Sequence, residues 1–348
     1  MTVPRPTSDT AAPRLADLTT VRLGGPAAEL VEATTESELV AAVREADEAG
    51  TPVLVVGGGS NLVVADEGYA GRVVLVRTRG VDAAADLCGG AFVDVAAGEP
   101  WDDLVATAVE RGWVGIEALS GIPGTTGATP IQNVGAYGQE VSQTVARVRT
   151  WDRRRGAVRT FAAADCGFGY RTSRFKADPG RFVVLAVIFQ LGLGDHGSPV
   201  RYAELARALE VEPGHRAPSA RVREVVLGLR RSKGMVLDPE DHDTWSTGSF
   251  FTNPIVDPAL LPEGAPSWPA DGSRVKTSAA WLIEHAGFRK GHGTDLARLS
   301  SRHTLAVTNR GGASTADLLD LAREVRDGVQ RRFGIVLVNE PVLVGCEL

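Results

Sequence analysis

Apolar residues in this chain fall into two repeating patterns, and the switches between them mark its elements. Stripes at a spacing of three and four residues predict helices. WDDLVATAVERG (101–112) puts Leu104, Val105, Ala108 and Val109 on one face and closes on Gly112. SARVREVVLGLRRSK (219–233) puts Val222, Val225, Val226 and Leu229 on one stripe. ESELVAAVREADEAG (36–50) reads as a helix because Thr35 and Glu38 form a capping box, with Gly50 as its stop. Further helices are predicted at AAWLIEHAG (279–287) and, longer and amphipathic, at TADLLDLAREVRDGVQRRFG (315–334). Short apolar runs predict strands at PVLVV (52–56), LVV (62–64), RVVLVRT (72–78), AFVDVAAG (91–98) and FVVLAVIFQL (182–191). A final strand is expected near IVLVNEPVLVG (335–345). Strands alternating with single helices are expected up to 191, so the class is α+β or α/β. The acidic, turn-rich GMVLDPEDHDT (234–244) reads as a domain boundary.

Two segments fit neither period. GGGSN (57–61) follows a strand. A dinucleotide-binding Rossmann turn needs a helix directly after its glycines, and here the strand-like Leu62-Val63-Val64 follows instead. The loop is therefore a strand–loop–strand turn, either a tight hairpin or a nest of bare backbone N–H groups for an anion. A Cβ would block close approach of a diphosphate, which is the use of glycine here. Ser60 and Asn61 add side-chain donors. GIEALSGIPGTTGATPIQNVGAYG (115–138) holds six glycines and two prolines. A long Gly-rich segment inside a compact domain is usually a functional loop. Gln132 and Asn133 bring amides able to read a heteroaromatic edge. Two such loops suit a long, two-part cofactor lying between lobes.

Composition narrows the class. A chain of 348 residues suits two or three domains. Its net charge of −6 argues against nucleic acid and anionic membranes as partners. MTVPRPTSDTAAPRL (1–15) lacks the apolar stretch of a signal peptide and reads as a loose tail. No apolar run reaches the roughly 18 residues of a membrane helix. Cys88, Cys166 and Cys346 are few, odd in number and widely spaced, which fits small buried hydrophobes in a reducing compartment rather than disulfides or zinc. Of 37 basic residues only Lys176, Lys233, Lys276 and Lys290 are lysines. A lysine retained among so many arginines marks a place where a compact ammonium is useful.

GGGSNLVV, GIPGTTGATPIQNVGAYG, FGYRTSRFK, STGSFFTNP and LVNEPVLVG occur in that order over residues 20–348. Together they resemble the UDP-N-acetylenolpyruvoylglucosamine reductase family, in its longer subtype with a tyrosine-bearing loop. The resemblance implies an α+β protein with the two-lobed FAD-binding fold of the vanillyl-alcohol-oxidase type and a C-terminal α/β substrate-binding domain. It implies a tail at 1–14, FAD subdomains at 15–82 and 83–235, and a substrate domain at 236–334, with 335–348 returning to the FAD lobes. It implies non-covalent FAD, NADPH as hydride donor, a UDP-sugar enol ether as substrate, a cytoplasmic location and a monomer.

Site residues follow from the same resemblance. Gly57, Gly58, Gly59, Ser60 and Asn61, with Gly121, Pro123, Gly124, Thr125, Gly127, Gln132, Asn133, Gly135, Ala136 and Tyr137, should hold FAD. Thr126 and Thr129 depart from the family's smaller or apolar residues. The reaction needs a cation for the substrate carboxylate, a proton donor and a group that orients them. Arg171 matches the enolate-stabilising arginine, since a guanidinium grips a carboxylate two-pronged. Ser249 matches the proton donor and Glu340, expected on the final strand, a catalytic acid. Tyr170, Tyr202, Arg230, Lys233, Asn253, Lys290 and His303 are candidates for the nucleotide half of the substrate, with Lys276 beside them. His303 is a contact for substrate or NADPH, or a structural histidine. No metal site is expected. Another flavoenzyme of the same fold, of the aldonolactone-oxidase type, would favour a covalently attached flavin, and no His falls in either glycine loop to attach one. A nucleotide-binding protein without catalysis is the third reading.

Overall fold

The computed structural model describes residues 13–348 apart from 87. Most of the tail assigned to 1–14 lies outside the described residues. Its last two residues meet the body: Arg14 pairs with Pro26, and the Pro13 carbonyl accepts from the Ala27 N–H at 3.0 Å.

A parallel three-stranded sheet opens the chain. Tyr69–Val76 lies at its centre, between Ala27–Ala33 and Val53–Val56. Helix Glu36–Glu48 covers it, burying Leu39, Ala42, Val43 and Ala46, and the Thr35–Glu38 capping box is formed. The strand Ala27–Ala33 was not legible in the sequence: AAELVEA is rich in Ala and Glu, both poor strand formers, and tertiary pairing overrides propensity.

The second sheet is antiparallel. Its order is Ala157–Ala162, Val145–Asp152, Phe182–Leu193, Gly90–Ala96, Val81–Asp86, and Trp113–Val114 pairs with the end of the long strand. Strands and single helices do not alternate here as expected. Val145–Asp152 and Ala157–Ala162 form a hairpin closed by Arg153–Gly156, with Gly156 left-handed at φ 59°. Only the one-turn helix Arg174–Ala177 separates them from the long strand, apart from a 3-10 turn. Helix Trp101–Glu110 packs Trp101, Leu104, Val105 and Ala108 into the same core that joins both sheets. Beyond the long strand, helices Ala203–Leu209 and Ser219–Ser232 pack on each other around Leu205, Val222 and Val226.

The C-terminal part has its own core. Helix Ala279–His285 and helix Thr315–Phe333 contribute Leu282, Ile283, Leu318, Leu319, Ala322, Val325 and Val329. Phe250 and Phe251 are fully buried there, and Val21, Leu23 and Val63 reach in from the first lobe. The lobes are also fastened by hydrogen bonds: the Thr315 N–H donates to the Asp66 carboxylate at 2.9 Å and its hydroxyl donates to the Val64 carbonyl at 2.6 Å.

The chain end is not the continuous strand expected over 335–345. Only Val342–Val344 is a strand, and it pairs in parallel with Leu62–Val64. Pro341 has no N–H to donate to a ladder, so Glu340 sits in an extended link. Because Leu62–Val64 pairs with the chain end and not back on Val53–Val56, the hairpin reading of Gly57–Asn61 falls away. Cys166 is buried and Cys346 half-buried, but Cys88 is exposed, against expectation. It lies in a turn whose N–H groups are taken by the Asp86 carboxylate. No helix among the described residues is long and apolar enough to cross a membrane.

Phe251 carries the C-terminal core and fixes the segment that follows Gly248. Phe251→Ala should cost about 3–5 kcal/mol, the usual transfer-plus-cavity penalty, and Phe251→Leu clearly less. Urea unfolding of the two variants checks this.

Candidate active site

A cleft of about 320 Å³ runs between the two glycine loops and the start of the C-terminal domain. Gly57, Gly58, Gly59, Ser60 and Asn61 form one wall, and Pro123, Thr125, Gly127, Gln132 and Gly135 the other. The walls touch: a Cβ on Gly58 would lie 2.6 Å from the Gly124 Cα, so only glycine lets the loops meet. Ser60 does not face the cleft as a free donor, since its hydroxyl donates to the Pro123 carbonyl at 3.0 Å. Among the described residues, no protein acceptor takes the N–H of Gly58, Gly59, Ser60 or Asn61. These four donors in one turn make an anion nest. Further buried donors are without partners in residues lining the cleft: Arg171 Nε, Arg230 Nε and the Thr247 hydroxyl. Buried polar atoms are rarely left unpaired unless a ligand or water takes them. An elongated, polar-ended group carrying a diphosphate fits this donor set.

The catalytic candidates meet at one end of the cleft. Arg171 sits in a turn closed by mutual N–H to carbonyl bonds between Gly169 and Thr172, at 3.1 and 3.3 Å, and its backbone is left-handed at φ 52°. That conformation costs an arginine free energy, and such strain gathers at functional sites. Its Nη2 donates to the Gly135 carbonyl at 2.9 Å. Its Nε lies 3.1 Å from Glu340 Oε1 but does not aim its hydrogen at it, so the contact is an ion pair without a directed hydrogen bond. Burial pushes the Glu340 carboxyl above the ordinary carboxylate range, and Arg171 and Lys176 draw it part of the way back. The Glu340 N–H donates to the Phe250 carbonyl at 2.8 Å, which fastens Glu340 beside Ser249. Ser249 lines the cleft between Gly248, left-handed at φ 75°, and the buried Phe250.

An amide network ties the walls to this end. Asn61 Nδ2 donates to Gln132 Oε1 at 2.8 Å and to the Glu340 carbonyl at 3.3 Å. Gln132 Nε2 reaches Glu340 Oε1 at 3.4 Å. Asn133 is buried, and its side chain is saturated by Glu140, Gly169 and the Ser142 N–H. It shapes the loop and does not line the cleft. Gly121, Gly124, Ala136 and Tyr137 also stand behind the lining, and the Gly121 N–H is taken by Asp102 at 2.6 Å. Thr129 lines the cleft, while Thr126 is buried with its hydroxyl unpartnered.

The expected nucleotide contacts divide into three groups. Arg230 lines the cleft and donates through Nη2 to the Met235 carbonyl at 2.8 Å, and burial brings its guanidinium down to about 10, still charged near neutrality. Lys233, His303, Lys290 and Tyr202 gather outside the lining. The Lys233 ammonium pairs with Glu204 at 2.6 Å and lies 5.4 Å over the Tyr137 ring, which packs edge-on against Tyr202. Tyr170 and Asn253 form the third: the Asn253 N–H donates to the Tyr170 hydroxyl at 3.2 Å, Asn253 Oδ1 caps helix Ala279–His285, and Lys276 lies 4.5 Å over the Tyr170 ring.

Two features escaped the sequence reading. Arg223 grips Asp102 through two bonds of 2.6 and 2.9 Å and so holds the carboxylate that receives Gly121. Nothing local signals a pair that far apart in sequence. Lys176 lines the cleft, and its place among four lysines was a signal already in hand.

Comparison with known proteins agrees with this geometry. Residues 27–162 match the FAD binding domain family, and residues 238–344 match the C-terminal domain of UDP-N-acetylenolpyruvoylglucosamine reductase. The UDP-N-acetylenolpyruvoylglucosamine reductase of Cutibacterium acnes is 59% identical over 96% of this chain and 90% of its own length. That of Streptomyces avermitilis is 58% identical over 96% and 94%. The crystal structure of the Thermus caldophilus reductase superposes with a TM-score of 0.66 at 28% identity, covering 95% of this chain and 97% of that one.

His303 supplies a pH test. Burial first, then Lys233 and Lys290, depress its imidazole from 6.5 to about 4. The unfolded chain therefore takes the proton first as pH falls, and His303 withdraws stability between 6.5 and about 4. An NMR titration should place the His303 midpoint near the lower value, and His303→Gln should flatten the loss of stability over that window.

Proposed function

The chain belongs to the UDP-N-acetylenolpyruvoylglucosamine reductase family, and we propose that Arg171, Ser249 and Glu340 are its catalytic groups. The protein is a flavin-dependent oxidoreductase of the vanillyl-alcohol-oxidase fold type. It reduces UDP-N-acetylglucosamine enolpyruvate to UDP-N-acetylmuramate with NADPH and FAD, a step of peptidoglycan precursor synthesis. The chemistry that FAD supplies when bound is a two-electron relay from NADPH to the substrate's vinyl carbon.

The single observation that carries the site assignment is the convergence of Arg171, Glu340 and Ser249 on the end of a cleft floored by open backbone donors. The Gly58–Asn61 nest would hold the cofactor diphosphate. Gln132, Gly135 and the apolar Val183–Val184 edge line the cleft where they would receive the ring system. No His or Cys lines the cleft among the described residues, which supports a cofactor held without a covalent bond.

Arg171 receives the substrate carboxylate and holds the negative charge that develops there when the vinyl carbon is reduced. Its side chain is pre-placed by the Gly135 carbonyl, so little reorganisation is needed. Ser249 Oγ then gives its proton to the carbon next to the carboxylate. Glu340, whose carboxyl burial pushes above the ordinary carboxylate range, assists through the carboxyl it presents to Arg171. Lys233, Tyr202 and Arg230 hold the uridine diphosphate half, and Lys233 must exchange Glu204 for phosphate as substrate arrives. Asn253, Tyr170, Lys290 and His303 shape the rest of that path. We place the enzyme in the cytoplasm, acting as a monomer. The three free thiols support a reducing compartment.

Ser249→Ala should separate the half-reactions. Flavin reduction by NADPH keeps its rate, while reoxidation by the enol ether slows by roughly 10²–10⁴, the scale of a positioned general acid. Stopped-flow flavin absorbance measures both, and equal slowing of both would remove Ser249 from this role.

Lys233→Ala should weaken substrate binding about 10- to 150-fold, the worth of a charge-assisted contact, with the maximal reoxidation rate kept. A normal apparent affinity with a collapsed rate would instead make Lys233 part of the proton path.

A further inference from the structure

Lys176 stands at the same end of the cleft and has no part in the chemistry above. Its short helix, Arg174–Ala177, is held in place by Ser173. That hydroxyl accepts the N–H of Phe175 and Lys176 at 3.1 and 3.3 Å and donates to the Ile131 carbonyl at 2.5 Å. The helix is thus pinned to the second glycine loop, and the Lys176 side chain runs back to the cleft lining. There its ammonium donates to the Arg171 carbonyl at 3.1 Å. That carbonyl belongs to a residue in left-handed backbone conformation. The hydrogen bond therefore stabilises the strained turn that aims the catalytic guanidinium. Two of the three ammonium hydrogens remain for the cleft.

We propose that Lys176 is a positioning residue of the active site: it locks the Arg171 turn and supplies the second positive charge that faces Glu340. The charged and titratable groups around the Glu340 carboxyl are Arg171 and Lys176, with Tyr170 near enough to feel both Arg171 and Glu340, and Arg230 near enough to feel Arg171. Burial favours the protonated carboxyl and the two cations oppose it, while Lys176 itself is brought down by the same burial. Losing the ammonium leaves Glu340 with one cation, and its carboxyl then holds its proton to higher pH. The compact ammonium suits the task, because a point donor reaches a single carbonyl where a planar fork asks for two acceptors.

This proposal rests on the reading of Arg171 and Glu340 as the catalytic pair, and the test separates the two. Holoenzyme carrying Lys176→Met, Lys176→Arg or Glu340→Gln is prepared and its FAD content measured. Isotope-edited infrared spectroscopy follows the protonated Glu340 carboxyl against pH, and Glu340→Gln identifies the band. Reoxidation by the enol ether is followed over the same range. In Lys176→Met the carboxyl band should persist about one pH unit higher than in the parent, the scale of losing one nearby charge. The falling alkaline limb of reoxidation should move up with it, and the substrate KM should rise as the Arg171 turn loosens. Lys176→Arg should return both limb and band to the parent position. An unshifted band in Lys176→Met overturns the proposal whatever the rates do. So does a Lys176→Arg enzyme whose band moves as far as that of Lys176→Met, since charge is then not the cause. A shifted band with a reoxidation limb that stays in place supports the role of Lys176 and removes Glu340 from the chemistry instead.

Discussion

The ion pair between Arg171 and Glu340, 3.1 Å apart with both side chains mostly buried, is the constraint on which the site depends. Two charges brought out of water lose hydration, and their attraction offsets this only when geometry and further hydrogen bonds are good. Here the further bonds come from every neighbouring segment. Gly135 takes the guanidinium, Gln132 approaches the carboxylate, and the Phe250 carbonyl and the Asn61 amide hold the backbone of Glu340. The pair is left incompletely satisfied, with one guanidinium N–H aimed at neither partner. Such a group is costly in a resting protein and useful to a ligand that carries a carboxylate.

The pair also explains why the chain closes on itself. Arg171 lies in the turn before the long strand of the second sheet, and Glu340 lies eight residues from the C-terminus. They meet because Val342–Val344 adds to Leu62–Val64, the strand that leaves the first glycine loop. One parallel pairing thus places both the first glycine loop and Glu340. Ser249 joins them through Phe250 and Phe251, whose burial in the C-terminal core fixes the backbone next to Gly248. The proposed cofactor wall, anion grip and proton donor come from separate parts of the chain. A disturbance in any one of them displaces the others' partner.

Much of this was legible in the sequence, for definite reasons. Helices were clear where apolar stripes and caps coincide, as at Thr35–Glu38 and along Val222–Val226. The glycine loops announced themselves by composition, and their order along the chain pointed to the family. What was hidden depends on contacts between distant segments. Ala27–Ala33 is a strand only because Tyr69–Val76 lies beside it. Asn133 looked like a ligand-reading amide, but its carbonyl and amide are consumed by Ser142, Glu140 and Gly169. Glu340 seemed to lie on a strand because apolar runs flank it at 335–338 and 342–344, and the proline after it breaks the ladder. Lys176 was visible only as a rarity of composition. Its hydrogen bond to Arg171 needs the fold.

The most direct measurement is the crystal structure of the holoenzyme with FAD and the enol ether substrate bound. The flavin diphosphate should lie on the Gly58–Asn61 amides, the substrate carboxylate on Arg171, and Ser249 Oγ within reach of the carbon to be protonated. A substrate carboxylate held by Lys233 or Arg230, with Arg171 still turned to Glu340 alone, would contradict this assignment.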